Sequence, residues 1–194
     1  MPRMPDPQLE ERIVQAAMRL MDEMGAEAVT MRSVAAAAGT TTPTIYERFS
    51  DREALLDAVR ELWQEVVVTE LRKAKSVEDM AERFVRLSCK YPRRFDLTVD
   101  TFGSRLASNA PQPGLDLLRD RVSEETHVRG AEQESLALAI ASLAFGATRG
   151  MIAAGPDHRR SRDLKKACFS ALRLLLASRR PAGARRNPTP RSAN

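Results

Sequence analysis

The stretch 30–56, TMRSVAAAAGTTTPTIYERFSDREALL, constrains this chain more than any other. Met31, Val34, Ala35 and Ala38 recur at three-four spacing and make one apolar helical face. Thr30 ahead of them is a good N-cap, because its hydroxyl accepts from the free N–H groups that follow. Gly39 can take the left-handed conformation that ends a helix cheaply. Thr41 or Thr40 then caps a second helix, and Pro43 falls in its first turn, where a missing N–H costs little. Ile45 and Phe49 lie four apart and pin that helix to a core. Ser50-x-x-Glu53 has the capping-box pattern and predicts a third helix start. Two short helices joined by a glycine turn make a helix-turn-helix, whose second helix enters the major groove of DNA.

Three segments in register carry a family likeness: Val34-Ala35-x-x-Ala38-Gly39, Thr44-Ile45-Tyr46-x-x-Phe49 and Arg52-Glu53-Ala54-Leu55-Leu56. They resemble the DNA-binding signature of the TetR family of bacterial transcriptional regulators. The resemblance covers roughly the first third of the chain, and beyond it only the helical pattern and the length match. It implies an all-α fold with about nine helices, in which a three-helix head precedes a larger ligand-binding and dimerisation domain. We therefore expect a helix-turn-helix domain over 1–50, an effector-binding and dimerisation domain over 51–180, and a disordered basic tail over 181–194. The resemblance also implies a homodimer on a palindromic operator in double-stranded DNA, released by an unknown small-molecule effector.

Charge alone does not point to DNA. The net +5 is unevenly spread: 7 basic and 10 acidic groups in 1–60, 12 and 14 in 61–148, and 12 and 2 in 149–194. The basic excess is C-terminal, so the motif and not composition argues for nucleic acid. A few placed cations and hydroxyls still suffice to hold phosphates. No signal-peptide pattern stands at the N-terminus, and no apolar run reaches the roughly 18–20 residues that span a bilayer. A cytoplasmic protein without a membrane partner is the expectation. Cys89 and Cys168 are far apart in helical patterns and read as buried reduced thiols.

Along the chain, residues 1–7 read as a loose arm in which Arg3 can reach a phosphate. Leu9, Ile13, Ala16, Ala17, Leu20, Met21 and Met24 predict an amphipathic first helix that covers the next two. A fourth helix from about 51 into the seventies has a stripe of Leu55, Leu56, Val59, Leu62, Trp63, Val66 and Val67. Ser76 caps a fifth. A short helix through Phe95, Leu97, Val99 and Phe102 follows, with Gly103 and Pro111-x-Pro113-Gly114 as loop signals. Helices over about 115–126, 132–154 and 161–177 complete the pattern. Gly146 and Gly150 inside the second of these cost roughly 1 kcal/mol each against alanine, which points to close packing there.

The expected recognition helix is 41–48. Its outward residues Thr42, Pro43, Tyr46 and Glu47, with Thr41 and Thr44, are the candidate DNA contacts. Thr30, Arg32 and Arg52 join them, and the resemblance assigns Arg52 to phosphate. No Lys or Arg opens this helix to grip a guanine. Trp63, Met80, Phe84, Phe95 and Phe102 are candidates to line an apolar effector pocket. Ile140, Leu143, Ala144, Ala147, Met151, Cys168, Ala171, Leu172 and Leu175 are the candidate dimer surface, since two-fold DNA readers need two heads a helical turn apart. Glu124-x-x-His127 has the ligand spacing of di-iron bundles but no second copy, so no metal, cofactor or catalytic constellation is expected. A helical small-molecule-binding protein with weak or lost DNA binding is the alternative, motivated by the acidic head.

Overall fold

The computed structural model describes residues 8–179 except Asn109, with backbone only at Leu106. Among the described residues there are nine α-helices and no strand, so the all-α expectation holds. They are α1 (Leu9–Met24), α2 (Met31–Ala38), α3 (Thr42–Tyr46), α4 (Arg52–Arg72), α5 (Val77–Lys90), α6 (Pro92–Ser108), α7 (Pro113–Thr126), α8 (Gly130–Ala154) and α9 (Arg159–Ala177). Arg3 and the 181–194 tail lie outside the described residues. The helices divide into two compact units. One holds α1–α4, the second half of α5, and α6; the other holds the first turns of α5 with α7–α9.

In the first unit, α1 packs across α2 and α4. Ile13, Ala16 and Ala17 of α1 meet a core that also takes Val34, Ile45, Leu55 and Val59, all fully buried. Each α-helix of the head thus contributes an apolar stripe too small to bury alone, and the three stripes close on one another. Further along α4, Glu70 accepts from Lys73 at 2.9 Å and Arg83 at 2.7 Å. These contacts hold its carboxyl below the ordinary 4.5, with the Lys73 bond the largest cause.

In the second unit, α8 and α9 pack along their length. A Cβ on Gly150 would come within 2.9 Å of Leu164, so this glycine marks close helix approach. Gly146, one turn earlier, has nothing within 4 Å of such a Cβ, so the close-packing expectation holds for one of the two glycines. Arg119 of α7 grips Glu134 of α8 with Nε and Nη2, the latter at 2.8 Å. α9 runs antiparallel to the start of α5, with Arg173 paired to Glu78 and Lys165 to Glu82.

Four local expectations are corrected. Asp51, not Ser50, caps α4: its Oδ1 accepts from Ala54 N at 2.9 Å, because a carboxylate outcompetes a hydroxyl one residue earlier. The sixth helix is not short but runs through Gly103 to Ser108, since the loss of propensity at one glycine is only about 1 kcal/mol. Cys168 is buried but Cys89 is exposed. Finally, His127 lies past the end of α7 with φ 61°, so Glu124 and His127 do not share a helical face.

Candidate nucleic-acid interface

The head is assembled by short-range polar bonds. Thr30 Oγ1 accepts from Ser33 N at 3.1 Å, and Ser33 Oγ accepts from Thr30 N at 3.0 Å. This reciprocal pair starts α2 and satisfies two donors that a helix start leaves free. Gly39 ends α2 at φ 67°, where Thr40 N donates to Ala35 O at 2.9 Å. Thr41 Oγ1 accepts from Thr44 N at 3.4 Å and meets Thr44 Oγ1 at 2.9 Å. Those two caps set the angle at which α3 leaves α2.

With Ile45 and Phe49 buried, the opposite side of α3 faces solvent. Pro43, Tyr46, Glu47 and Arg48 are exposed there, and Thr42 and Thr44 half-buried. Tyr46 exposes 54% of its surface, unusual for an aromatic ring in a head with an otherwise closed core. Thr30, Arg32 and Thr41 are exposed on the same segment. The sequence-derived contact set is therefore accessible. α3 itself ends at Tyr46, two residues earlier than expected, and Glu47 and Arg48 continue as a turn.

Arg52 does something the sequence did not announce. Its Nε donates to Val29 O and its Nη2 to Ala26 O, both at 2.6 Å. It ties the start of α4 to the turn before α2, so its charge stands at the foot of the motif while two of its five N–H groups are engaged.

A second tie joins the head to α6. Arg94 grips Asp22 with Nε at 2.8 Å and with Nη2, and Arg93 Nη1 donates to Asp22 O at 2.5 Å. The Arg94 guanidinium also lies 4.3 Å from the Tyr91 ring and 5.2 Å from the Trp63 ring. Trp63 donates Nε1–H to Thr98 Oγ1 at 2.8 Å. One cation thus joins α1, α4 and α6. Sequence reasoning missed it because Asp22 and Arg94 are 72 residues apart and neither belongs to a motif.

The aromatic set proposed for an effector pocket is packed. Trp63, Phe84 and Phe95 are buried, Phe84 and Phe95 meet edge to face at 6.1 Å, and Phe102 is half-buried. Met80 is buried in the other unit. A cleft of about 440 Å³ opens elsewhere in the first unit, lined by Asp57, Arg60 and Glu61 of α4 and Asp100, Thr101, Ser104 and Arg105 of α6. Arg60 is held by Glu53 and Asp57, and Arg105 by Gln64 and Pro111 O. No sequence pattern flagged these residues, which read as ordinary solvated helix faces.

Three helices in this arrangement, with a capped and solvent-facing second helix of the turn, define a helix-turn-helix DNA-binding head. Residues 13–59 match the family described as bacterial regulatory proteins, tetR family. The head is thus similar to the DNA-binding domain of that family over residues 13–59. Solved structures agree on the fold. A TetR-family transcriptional regulator from Streptomyces coelicolor is 18% identical, with 88% of this chain and 99% of that chain covered at a TM-score of 0.62. A TetR variant from Acinetobacter baumannii AYE in complex with minocycline is also 18% identical, covering 86% and 93% at 0.62. The fatty acid degradation regulator FadR from Bacillus halodurans is 16% identical, covering 90% and 99% at 0.60. No curated protein sequence matches the chain.

Proposed function

We propose that this protein is a cytoplasmic, homodimeric repressor that a small molecule releases from a palindromic operator. The observation that carries the reading is the joint seating of the head. α1 is held to α6 through Asp22–Arg94, and α4 to the α1–α2 turn through Arg52. The cleft lined by Asp57, Glu61, Asp100 and Arg105 lies between these same two helices. A ligand that spreads or closes α4 against α6 changes the pose of the head, and affinity for the operator changes with it. The polar lining favours a hydrophilic effector over the apolar one expected from the aromatic residues. Thr42, Tyr46 and Glu47 read or grip DNA in this scheme, with Thr30, Arg32 and Arg52 near the phosphates.

The dimer surface is reassigned within this proposal. Ile140, Ala144, Ala147, Met151, Cys168 and Leu172 are buried inside the subunit, where they form the α8–α9 seam. Leu143, Ala171 and Leu175 are half-buried. The uncovered face of α8 carries Ser135, Ala139, Ser142, Gly146 and Ala153, and that of α9 carries Ala167 and Leu174, the last 72% exposed. α8 is long and apolar enough to cross a membrane, with a mean hydropathy of 1.6 over 18 residues, yet only 44% of that window is buried in the subunit. A second copy laid on small residues at this spacing covers it as a four-helix bundle.

A mobility shift with the DNA upstream of the gene tests the reading. Tyr46→Ala with Thr42→Ala should weaken specific binding by at least ~10-fold while leaving the fold intact. Unchanged binding would overturn the residue assignment. Asp100→Ala with Glu61→Ala should abolish release by a polar effector without altering basal operator affinity.

A further inference from the structure

The first two turns of α9 read Arg159, Arg160, Ser161, Arg162, Asp163, Leu164, Lys165, Lys166. Helix starts favour acidic side chains, because the backbone leaves partial positive charge there. α1, α4, α5, α7 and α8 each carry at least one acid in the first turn; α9 carries none. α2, α3 and α6 also lack one, and the first-turn arginines of α6 are answered internally by Asp22 and the carbonyls of α1.

The cations of α9 have no such answer. Arg159, Arg162 and Lys166 follow i, i+3, i+7 spacing and share one exposed face. Arg159 reaches only Asp163, at 3.7 Å and with 87% of its side chain exposed. Arg162 and Lys166 meet no carboxylate among the described residues. Like charges one turn apart repel and lower helix stability. Lys165 and Arg173 of α9, by contrast, pair across helices with Glu82 and Glu78 of α5. The helix therefore holds a stripe of positive charge that its own fold disfavours and answers only with the long, exposed Arg159–Asp163 contact among the described residues.

We infer that Arg159, Arg162 and Lys166 form a second, sequence-independent DNA contact that binds the phosphate backbone outside the helix-turn-helix head. The charge distribution singles out DNA as the occupant. Residues 1–60, which hold the head, carry 7 basic and 10 acidic groups, whereas residues 149–194 carry 12 and 2. A duplex carries roughly one negative charge per 1.7 Å, so a head of net negative charge meets a repulsive field. Cations elsewhere in the same protein offset that repulsion. Base reading then belongs to α3, and α9 adds phosphate contacts to those of Arg32 and Arg52 in the head.

Salt dependence measures this directly, because each phosphate contact contributes about 0.9 to the slope of log affinity against log salt. The full-length protein is titrated with a scrambled duplex over a range of salt. Arg159→Gln, Arg162→Gln, Lys166→Gln combined should lower the slope by about 2–3 and the low-salt affinity by ~10-fold or more. Single Arg162→Gln and Lys166→Gln variants, which disturb folding less, should each lower it by about 1. Lys165→Gln and Arg173→Gln, whose charges are already paired, should leave it nearly unchanged. The proposal fails if the triple variant keeps the parent slope. It fails equally if the stripe's loss abolishes binding to phosphatidylserine vesicles while DNA binding is untouched. Retained operator preference in the triple variant separates this contact from base reading by the head.

Discussion

In the head, the caps and turn bonds that start and end α2 and α3 span three to five residues, and Arg52 adds ties of 23 and 26; in the α8–α9 pair, the polar contacts join residues 10 and 25 positions apart. Thr30 and Thr41 cap α2 and α3 by reaching three residues forward. Gly39 turns the chain with one bond back to Ala35. Such interactions are written locally, and the helix-turn-helix could be read from a window of 27 letters. α8 and α9 also display regular apolar stripes, but each has two faces rich in small or apolar residues. Ile140, Ala144 and Met151 form one on α8; Ala139, Ser142 and Gly146 form the other. Which one turns inward depends on the partner helix, and periodicity carries no information about that choice. The more hydrophobic stripe took the intramolecular seam. The smaller-residue stripe was left at the surface.

The largest test of this contrast sets the two faces against each other. Leu172→Ala, at a fully buried seam position, should cost about 2–5 kcal/mol and lower Tm at every protein concentration. Leu174→Glu, two residues on and 72% exposed, should leave the isolated subunit folded and shift sedimentation toward monomer. If both behave alike, the assignment of faces is wrong.

A middle-sized effect is expected where the head joins α6. Arg94→Met leaves Asp22, 26% exposed, without its cation and removes the guanidinium from the Trp63 and Tyr91 rings. A loss of about 2 kcal/mol is expected by thermal denaturation. Operator affinity should fall further than in a surface variant of equal stability, since the head is then held less firmly to α6.

Within the head, Thr30→Ala and Thr41→Ala should each cost about 1 kcal/mol, and Ser33→Ala a similar amount at the same helix start. Their effects should add, because the two caps serve different helices. Strong coupling between them would show the head to be less modular than its local bonds imply.

The smallest effect is in pH. The Asp51 carboxyl lies below its ordinary 3.8, first because Ala54 N–H donates to it, and the Glu70 carboxyl lies below 4.5. A depressed carboxyl stabilises the fold above its ordinary value and ceases to do so as pH falls through the depressed one. Between about pH 5 and about pH 3, Tm should therefore fall less steeply in Glu70→Gln than in the parent.

Much of the molecule was legible in advance. The helix pattern, the turn glycine and the solvent-facing set of Thr42, Pro43, Tyr46 and Glu47 all follow from local rules. What escaped was of two kinds. Some sites depend on charged residues that look like any solvated helix face, such as Asp57, Glu61 and Asp100 in the cleft. Others depend on pairing across long separations, such as Asp22 with Arg94. Trp63 shows the risk in between: its size invited a ligand pocket, whereas its N–H and ring face are occupied by Thr98 and Arg94.

The amino-acid order alone determined the all-α pattern of about nine helices, the caps of α2 and α3, and that these two would make a helix-turn-helix. Those outcomes rest on bonds and periodicities within a few residues. Tertiary structure decided which stripe of α8 and α9 closed inward, that Arg94 would bind Asp22, and that Trp63, Phe84 and Phe95 would be buried. Each of those depends on which distant surfaces exclude water together, and burial is a property of the assembled helices rather than of any one of them.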